Sequence, residues 1–301
     1  MIVYHKNNEI DREQWDSCIS NSGYAKPYAY SWYLDIMSPG WEALVDDDYD
    51  SVFPIPSYII LGLQYASTPP FLQQLGAFSP DKPDAQAIVE FLDYMPEIYK
   101  LTDICIWQKI NYPGYKVTEK SNFELSLSPP YENLYEKFTP ACKKHISNKT
   151  RKKFELTGNV TSEELIELIV SNRLSNPKNV KSKTYERLIN LMDYCIIGKK
   201  GRIIGVRTAR KKLVYGIFII KLPKSITIIL EGNTPASITR RLGHIVINEI
   251  IWENSSTASV LDFAGASGVA SDSLGKSFGA ESVPYYRIYR NRLFWPSFII
   301  K

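Results

Sequence analysis

The spacing of apolar positions along this chain changes several times, and each change marks an element. "MIVYH" alternates like a short strand, and "DREQWDSCISNS" takes helical spacing behind Asp11, a residue suited to an N-cap. "YAYSWYLDIM" predicts a second helix, stopped by "SPG", and "WEALVDDDYD" a strand running into an acidic turn. "SVFPIPSYIILGLQYAS", rich in Ile, Tyr and Val, predicts one or two strands with Pro54 and Pro56 at an edge or kink. "PDAQAIVEFLDYM" returns to helical spacing, and "DICIWQKI" and "FELSLS" read as strands.

Pro129 and Pro130 break that last strand and can open a helix, which places a boundary between residues 1–128 and 129–301. Beyond it, "YENLYEKFTPACKKHISNKTRKKF" predicts one helix kinked at Pro140. "TSEELIELIVSNRLS" predicts a helix in which Thr161 and Glu164 have capping-box spacing, and "TYERLINLMDYCIIGKKG" another, ended by Gly201. "RIIGVRTA", "LVYGIFIIKL" and "SITIILEGN" predict three meandering strands. "ASITRRLGHIVINEIIWENS" predicts one amphipathic helix, "ASVLDFAG" a strand, "VASDSLGKSFG" a short helix and "VPYYRIYRN" a last strand. The halves repeat this order coarsely. The expectation is an α+β protein of two like domains, each a mixed, mostly antiparallel sheet flanked by helices.

Composition adds few constraints. Hydrophobic residues make up 44% and charged residues 23% of 301, as in folded globular chains. No apolar run reaches the ~18 residues of a membrane helix, so no membrane insertion is expected. The amino terminus lacks the pattern of a secretory signal. Cys18, Cys105, Cys142 and Cys195 form no CxxC pair, and a reducing, cytoplasmic setting is expected. His5, His145 and His244 fall in different elements without metal spacing, so no metal is expected.

Charge is divided unevenly. Residues 1–130 carry 8 Lys and Arg against 18 Asp and Glu, a net of −10, whereas residues 131–301 carry 28 against 14, a net of +14. Either two solvated surfaces of opposite sign attract each other, or the second half meets a phosphate-bearing partner. Lys143, Lys144, Lys149 and Arg151 lie in "CKKHISNKTRKK" and suit either a solvated helix face or a phosphate-binding one. Arg240 and Arg241 open a helix whose dipole they oppose, which favours an anion there. Tyr285, Tyr286 and Tyr289 on the last strand, and Tyr215 in the meander, are packing residues or candidate general acids. "TPPFLQQLGAFSP" is uncharged and suits an acceptor cleft between domains or an ordinary edge loop.

"LDFAGASGVASDSLGKSFGAE", residues 261–281, is the most specific stretch. Asp262, Phe263 and Gly265, then Phe278, Gly279, Ala280 and Glu281, resemble the carboxyl-terminal signature of the FemAB-like branch of the GNAT acyltransferase superfamily. The basic helix and Trp32 in an early aromatic helix are similar to that family as well. The resemblance implies tandem GNAT-like domains, the first on the acceptor side and the second carrying acyl transfer. It implies movement of an acyl or aminoacyl group to an amine of a cell-envelope or polysaccharide precursor. The donor would be acyl-CoA or aminoacyl-tRNA acting as co-substrate, with no tightly bound cofactor, and tRNA or a nucleotide-linked acceptor is a candidate partner. Lys276, Tyr286 and Asp262 become candidate catalytic residues, and Arg240, Arg241, Gly243 and Gly265 candidate donor-binding residues. Asp262 could equally cap the next helix while Gly265 permits a turn. The family's Phe-Lys pair is replaced by Leu274 and Gly275, and Lys276 follows one residue later, turned by ~100° on a helix. A non-catalytic relative that binds RNA or another polyanion is the alternative.

Overall fold

A computed structural model describes residues 1–46, 48–80, 85–147, 154–172, 180–263 and 274–293. Lys149, Arg151 and Gly265 lie outside the described residues. The described elements up to the first domain's end are β1 (Ile2–His5), α1 (Arg12–Asn21), α2 (Ser31–Met37), β2 (Glu42–Asp46), β3 (Ser51–Ile55), β4 (Ser57–Ile60), β5 (Leu63–Ser67), α3 (Ala85–Asp93), β6 (Tyr99–Ile106) and β7 (Lys116–Ser126). There follow α4 (Tyr131–Glu136), α5 (Pro140–Ile146), β8 (Phe154–Thr157), α6 (Ser162–Ser171), α7 (Ser182–Ile197), β9 (Gly201–Thr208), β10 (Leu213–Leu222), β11 (Ser225–Asn233), α8 (Pro235–Thr239), α9 (Leu242–Asn254), β12 (Val260–Asp262) and β13 (Glu281–Asn291).

The chain forms two compact units. Unit 1 is Met1–Ser121 with Pro284–Lys301, and unit 2 is Asn122–Val283. The division therefore falls inside β7, earlier than Pro129, and the carboxyl-terminal strand belongs mostly to unit 1. In unit 1, β1, β2 and β3 form an antiparallel sheet. Next to it in sequence, β4 pairs antiparallel with β5, β5 runs parallel to β6, and β13 pairs antiparallel with β6. Asp11 caps α1 by accepting from the N–H groups of Glu13 and Gln14. Trp15 and Trp41 pack edge to face at 4.7 Å, and the Trp15 indole donates to the Ala29 carbonyl.

Unit 2 is built on the antiparallel series β8, β9, β10, β11, with β12 parallel to β11 and β7 antiparallel to β12. Its two faces are made differently. On one, Gly205, Gly216 and Gly232 stand in register across β9, β10 and β11. A β-carbon at Gly216 would lie 2.7 Å from Leu165 Cδ1, and one at Gly232 3.1 Å from Leu168 and Ile169. This glycine row lets α6 lie directly on the sheet. On the other face Ile217, Ile219 and Ile228 join Ile245, Val246 and Ile250 of α9 in a continuous core.

Several elements differ from the sequence-based expectation. The basic stretch is α4, α5 and strand β8, because Thr139 caps a new helix that starts at Pro140. The helix "TYERLINLMDYCIIGKKG" stops at Gly198, and Gly201 opens β9. "SVFPIPSYIILGLQYAS" supplies three strands, not two. The segment "ASITRRLGHIVINEIIWENS" is two helices: Thr234 caps α8, and Arg241 adopts a left-handed conformation (φ 56°) that breaks the run before α9.

Candidate functional site

The strands β11 and β12 are paired only from Ser225–Val260 to Thr227–Asp262. β12 ends at Asp262, and β11 runs on to Asn233. Just past the last paired row β11 carries a bulge: Phe218 faces Leu230 and Ile219 faces Ile228, leaving Ile229 as the extra residue. A bulge places backbone polar groups outside the ladder and re-aims the strand. A bulged strand is a setting in which a ligand's main chain can be gripped by backbone.

Glu231 stands on β11 two residues beyond Ile229, opposite Ile217, with Tyr215 further along β10 opposite Asn233. The start of α9 covers them. A β-carbon at Gly243 would lie 3.3 Å from Glu231 Oε1 and 3.3 Å from the Tyr215 hydroxyl, so Gly243 is the residue that lets α9 approach both. Asn233 Nδ2 donates to Glu231 Oε1 at 2.9 Å. Burial pushes the Glu231 carboxyl above the usual glutamate range, and its contacts with Asn233 and Tyr215 only partly offset this. The side chain is deeply set yet retains some solvent access. Burial and the neighbouring carboxylate push the Tyr215 hydroxyl up, so it keeps its proton. That hydroxyl is buried and makes no hydrogen bond of normal geometry. A carboxyl raised above the usual glutamate range thus sits beside a tyrosine hydroxyl that keeps its proton.

A cationic cluster lies on the α5 side of α9. His145 of α5 and His244 of α9 meet edge to face with ring centroids 5.1 Å apart. His244 also faces Phe278 at 5.8 Å. Burial, then His145, then Arg241 hold His244 down to about 4. His145 is lowered by burial and by Arg241 and Lys144. Folding therefore has to keep these rings neutral. An unfolded chain protonates its histidines below 6.5, while folded His244 resists until about 4. In that interval the unfolded state binds more protons, so stability falls as pH falls. The expected loss is ~2 kcal/mol between about pH 7 and about pH 5. Urea midpoints across that range measure it, and His244→Gln should flatten the slope; an unchanged slope would refute the assignment.

The other sequence candidates are placed as follows. Asp262 is fully buried at the last paired row, where its Oδ1 accepts from Asn122 Nδ2 at 2.9 Å. Lys276 is exposed, with its Nζ 5.2 Å from the centre of the Phe123 ring. Gly275 is closed against the same Phe123, whose Cβ would be 2.8 Å from an added β-carbon, so the position cannot hold a lysine. Phe278 is fully buried, packed edge to face with Phe138 at 4.9 Å, and Gly279 follows with φ +74° against Lys137. Tyr286 belongs to unit 1, buried on β13 opposite Ile106, and burial raises its hydroxyl. Lys143 turns to the Glu136 carbonyl and the Tyr135 ring, and Arg240 stacks over Phe154. The charges of Arg241 and Lys144 help hold His145 down, and that of Arg241 helps hold His244 down. Arg240 and Arg241 sit at the break between two helices, not inside one. In unit 1, "TPPFLQQLGAFSP" is tied down: Gln74 is fully buried and accepts from the Tyr24 hydroxyl, and Gln108 donates to the Ala77 carbonyl. Reading the sequence missed Glu231; the available signal was a lone ionisable residue at the end of the apolar run of β11.

No family model matches the chain, and no curated sequence relative was found. Solved structures are similar to it. FemX shares 9% identity at a TM-score of 0.64, over 92% of this chain and 96% of its own. L-PGS from Bacillus licheniformis shares 12% identity at 0.55, over 94% and 92%. A tandem GNAT protein from the clavulanic acid biosynthesis pathway shares 9% identity at 0.52, over 96% and 98%. With β12 laid parallel on β11, a bulged β11 and a helix α9 closing over it, the chain has the FemAB-like tandem GNAT fold.

Proposed function

We propose that unit 2 is an N-acyltransferase, moving an acyl or aminoacyl group from an activated carrier to an amine of a cell-envelope or polysaccharide precursor, with unit 1 on the acceptor side. The observation that carries this reading is the pairing of Glu231 and Tyr215 at Gly243, beside the bulge of β11. The acceptor amine gives its proton to Glu231 as its nitrogen attacks the carbonyl carbon. A C–N bond forms and the carbonyl oxygen becomes an oxyanion, for which backbone N–H at the Ile229 bulge is the donor. The C–S or C–O bond to the carrier then breaks, and the Tyr215 hydroxyl protonates the leaving sulfur or oxygen. Its proton is restored from Glu231 through solvent.

Lys276 serves as an accessory cation in this scheme, since it is exposed and Phe123 fills the neighbouring space. Lys276→Ala is expected to lower kcat no more than about tenfold, in keeping with a solvent-screened charge. A larger loss at unchanged KM would move the oxyanion site toward it. The donor class is read by incubating the purified protein with acyl-CoA thioesters or charged tRNA and a panel of amine acceptors. Acyl transfer from either carrier supports the reading, and salt-sensitive RNA binding with no transfer from any donor would replace it with the polyanion-binding alternative. That alternative is favoured by one observation, the cationic cluster of α5 and α9.

A further inference from the structure

The far end of α9, away from Gly243, belongs to a differently built part of unit 2. There α9 finishes, α7 turns into β9, and Pro223 and Lys224 make the turn between β10 and β11. The Lys221 N–H donates to the Lys200 carbonyl at 2.7 Å, and the Lys221 ammonium donates to Asn254 Oδ1 at 2.8 Å. Arg202 pairs with Glu253. These bonds gather two helix ends and the sheet around a cavity of about 280 Å³. Lys199, Arg202 and Lys221 line it beside Glu253 and Asn254, with Ile219 and Ile226 as its apolar part. Apolar side chains flank it at the surface. Trp252, next to Glu253, is 58% exposed, and Ile197, two residues before Lys199, is 83% exposed. The other described tryptophans, Trp15, Trp32, Trp41 and Trp107, are buried. Lys200 lies over the exposed Tyr194 ring at 5.3 Å. Among the described residues Lys199, Lys221 and Lys224 form no ion pair.

We propose that this end of unit 2 docks on an anionic lipid surface, with Trp252 and Ile197 entering the headgroup boundary and Lys199, Lys221 and Lys224 meeting the lipid charges. Lasting attachment without a spanning helix takes two signals, apolar burial and cationic attraction, and both are present here. Tryptophan favours the boundary between lipid and water, because its ring is apolar and its N–H is polar. Each lysine near an anionic surface strengthens binding about fivefold, and three of them here have no carboxylate to compete for them. Lysine also points to lipid over a protein partner. Lys199, Lys200, Lys221 and Lys224 stand against the single Arg202, whereas protein interfaces enrich arginine and deplete lysine. A lysine stem can lie along apolar surface while its ammonium reaches a headgroup. The cavity is at the small end of ligand-sized spaces, and its cations suit one headgroup. The described residues include no helix long and apolar enough to cross a membrane, and the docking proposed is at the surface.

The test is vesicle binding by the full chain, with no acyl transfer involved, so its failure and that of the transferase reading are separable. Vesicles of phosphatidylcholine with about 30% phosphatidylglycerol should sediment the protein at least tenfold more strongly than phosphatidylcholine alone, and about 0.5 M salt should abolish the difference. The triple variant Lys199→Gln, Lys221→Gln, Lys224→Gln should bind the anionic vesicles about 100-fold more weakly. Glutamine at position 221 still offers Asn254 a donor. Bromine atoms on the acyl chains should quench the tryptophan emission of the wild-type protein, and Trp252→Phe should lose that quenching. All four residues are exposed, so unchanged urea midpoints are expected for both variants. The proposal is overturned if anionic vesicles bind no better than neutral ones, if the triple variant keeps its affinity within about threefold, or if quenching persists in Trp252→Phe. Self-association or RNA binding that the triple variant abolishes, with no vesicle binding by the wild-type protein, would also overturn it and give this surface to a second copy or to a nucleic acid.

Discussion

Glu231→Gln is expected to lower kcat/KM for acyl transfer about 10³-fold without loosening the fold. Glutamine keeps the shape of the side chain and still accepts from Asn233 Nδ2 through its carbonyl oxygen. It keeps the packing against Gly243 as well. What it loses is the capacity to take a proton. Burial has raised the carboxyl above the ordinary glutamate range, which makes its carboxylate a stronger base. The pH profile gives the more specific reading. Wild-type kcat/KM should rise with pH along a limb set above the ordinary glutamate range, and the variant should lack that limb. A variant that retains its activity within about threefold, or that keeps the limb, would remove Glu231 from the chemistry.

Gly216→Val is expected to destabilise unit 2 by about 3 kcal/mol, the upper range for forcing extra carbon into a packed site. The reason is the three-glycine row under α6. A first added carbon already comes within 2.7 Å of Leu165 Cδ1, and Leu165 is fully buried. Its neighbours in the row are just as confined, with Val160 Cγ2 2.5 Å from a β-carbon at Gly205. The helix would have to lift from the sheet. Urea denaturation followed by an α6 probe measures the loss. Shortening the obstructing side chain tests the cause: Leu165→Ala combined with Gly216→Ala should be less destabilised than the sum of the two single changes. Strict additivity would show that the glycine row is not what seats α6.

Much of the scaffold was legible because its signals are local. Asp11 and Thr161 announce their helices by side-chain capping, and both cap as the sequence implies. Gly279 in the Phe-Gly motif has a positive φ, a conformation glycine adopts freely. Non-local features were not legible in the same way. The left-handed turn at Arg241 has no glycine to mark it, and the positive φ at Lys199 lies between two glycines that compete as the end of α7. Pro130 does start α4, yet the division into units follows strand pairing and falls earlier. Arg240, Arg241 and Gly243 could be singled out from spacing. Glu231 could not, because its character depends on Tyr215 and Gly243 arriving from other elements. His145 and His244 were visible as residues, and only the contact of α5 with α9 makes them a pair.

Unit 1 is completed by β13, which lies on β6 with Asn291 opposite Leu101, although all of unit 2 separates those strands along the chain. During synthesis, the ribosome must therefore release the entire inserted portion before the amino-terminal portion gains its final ladder. The inserted portion is free to acquire structure first, while the amino-terminal one waits with an open sheet edge for β13 to emerge. Cutting the gene after the paired prolines would leave that edge permanently bare.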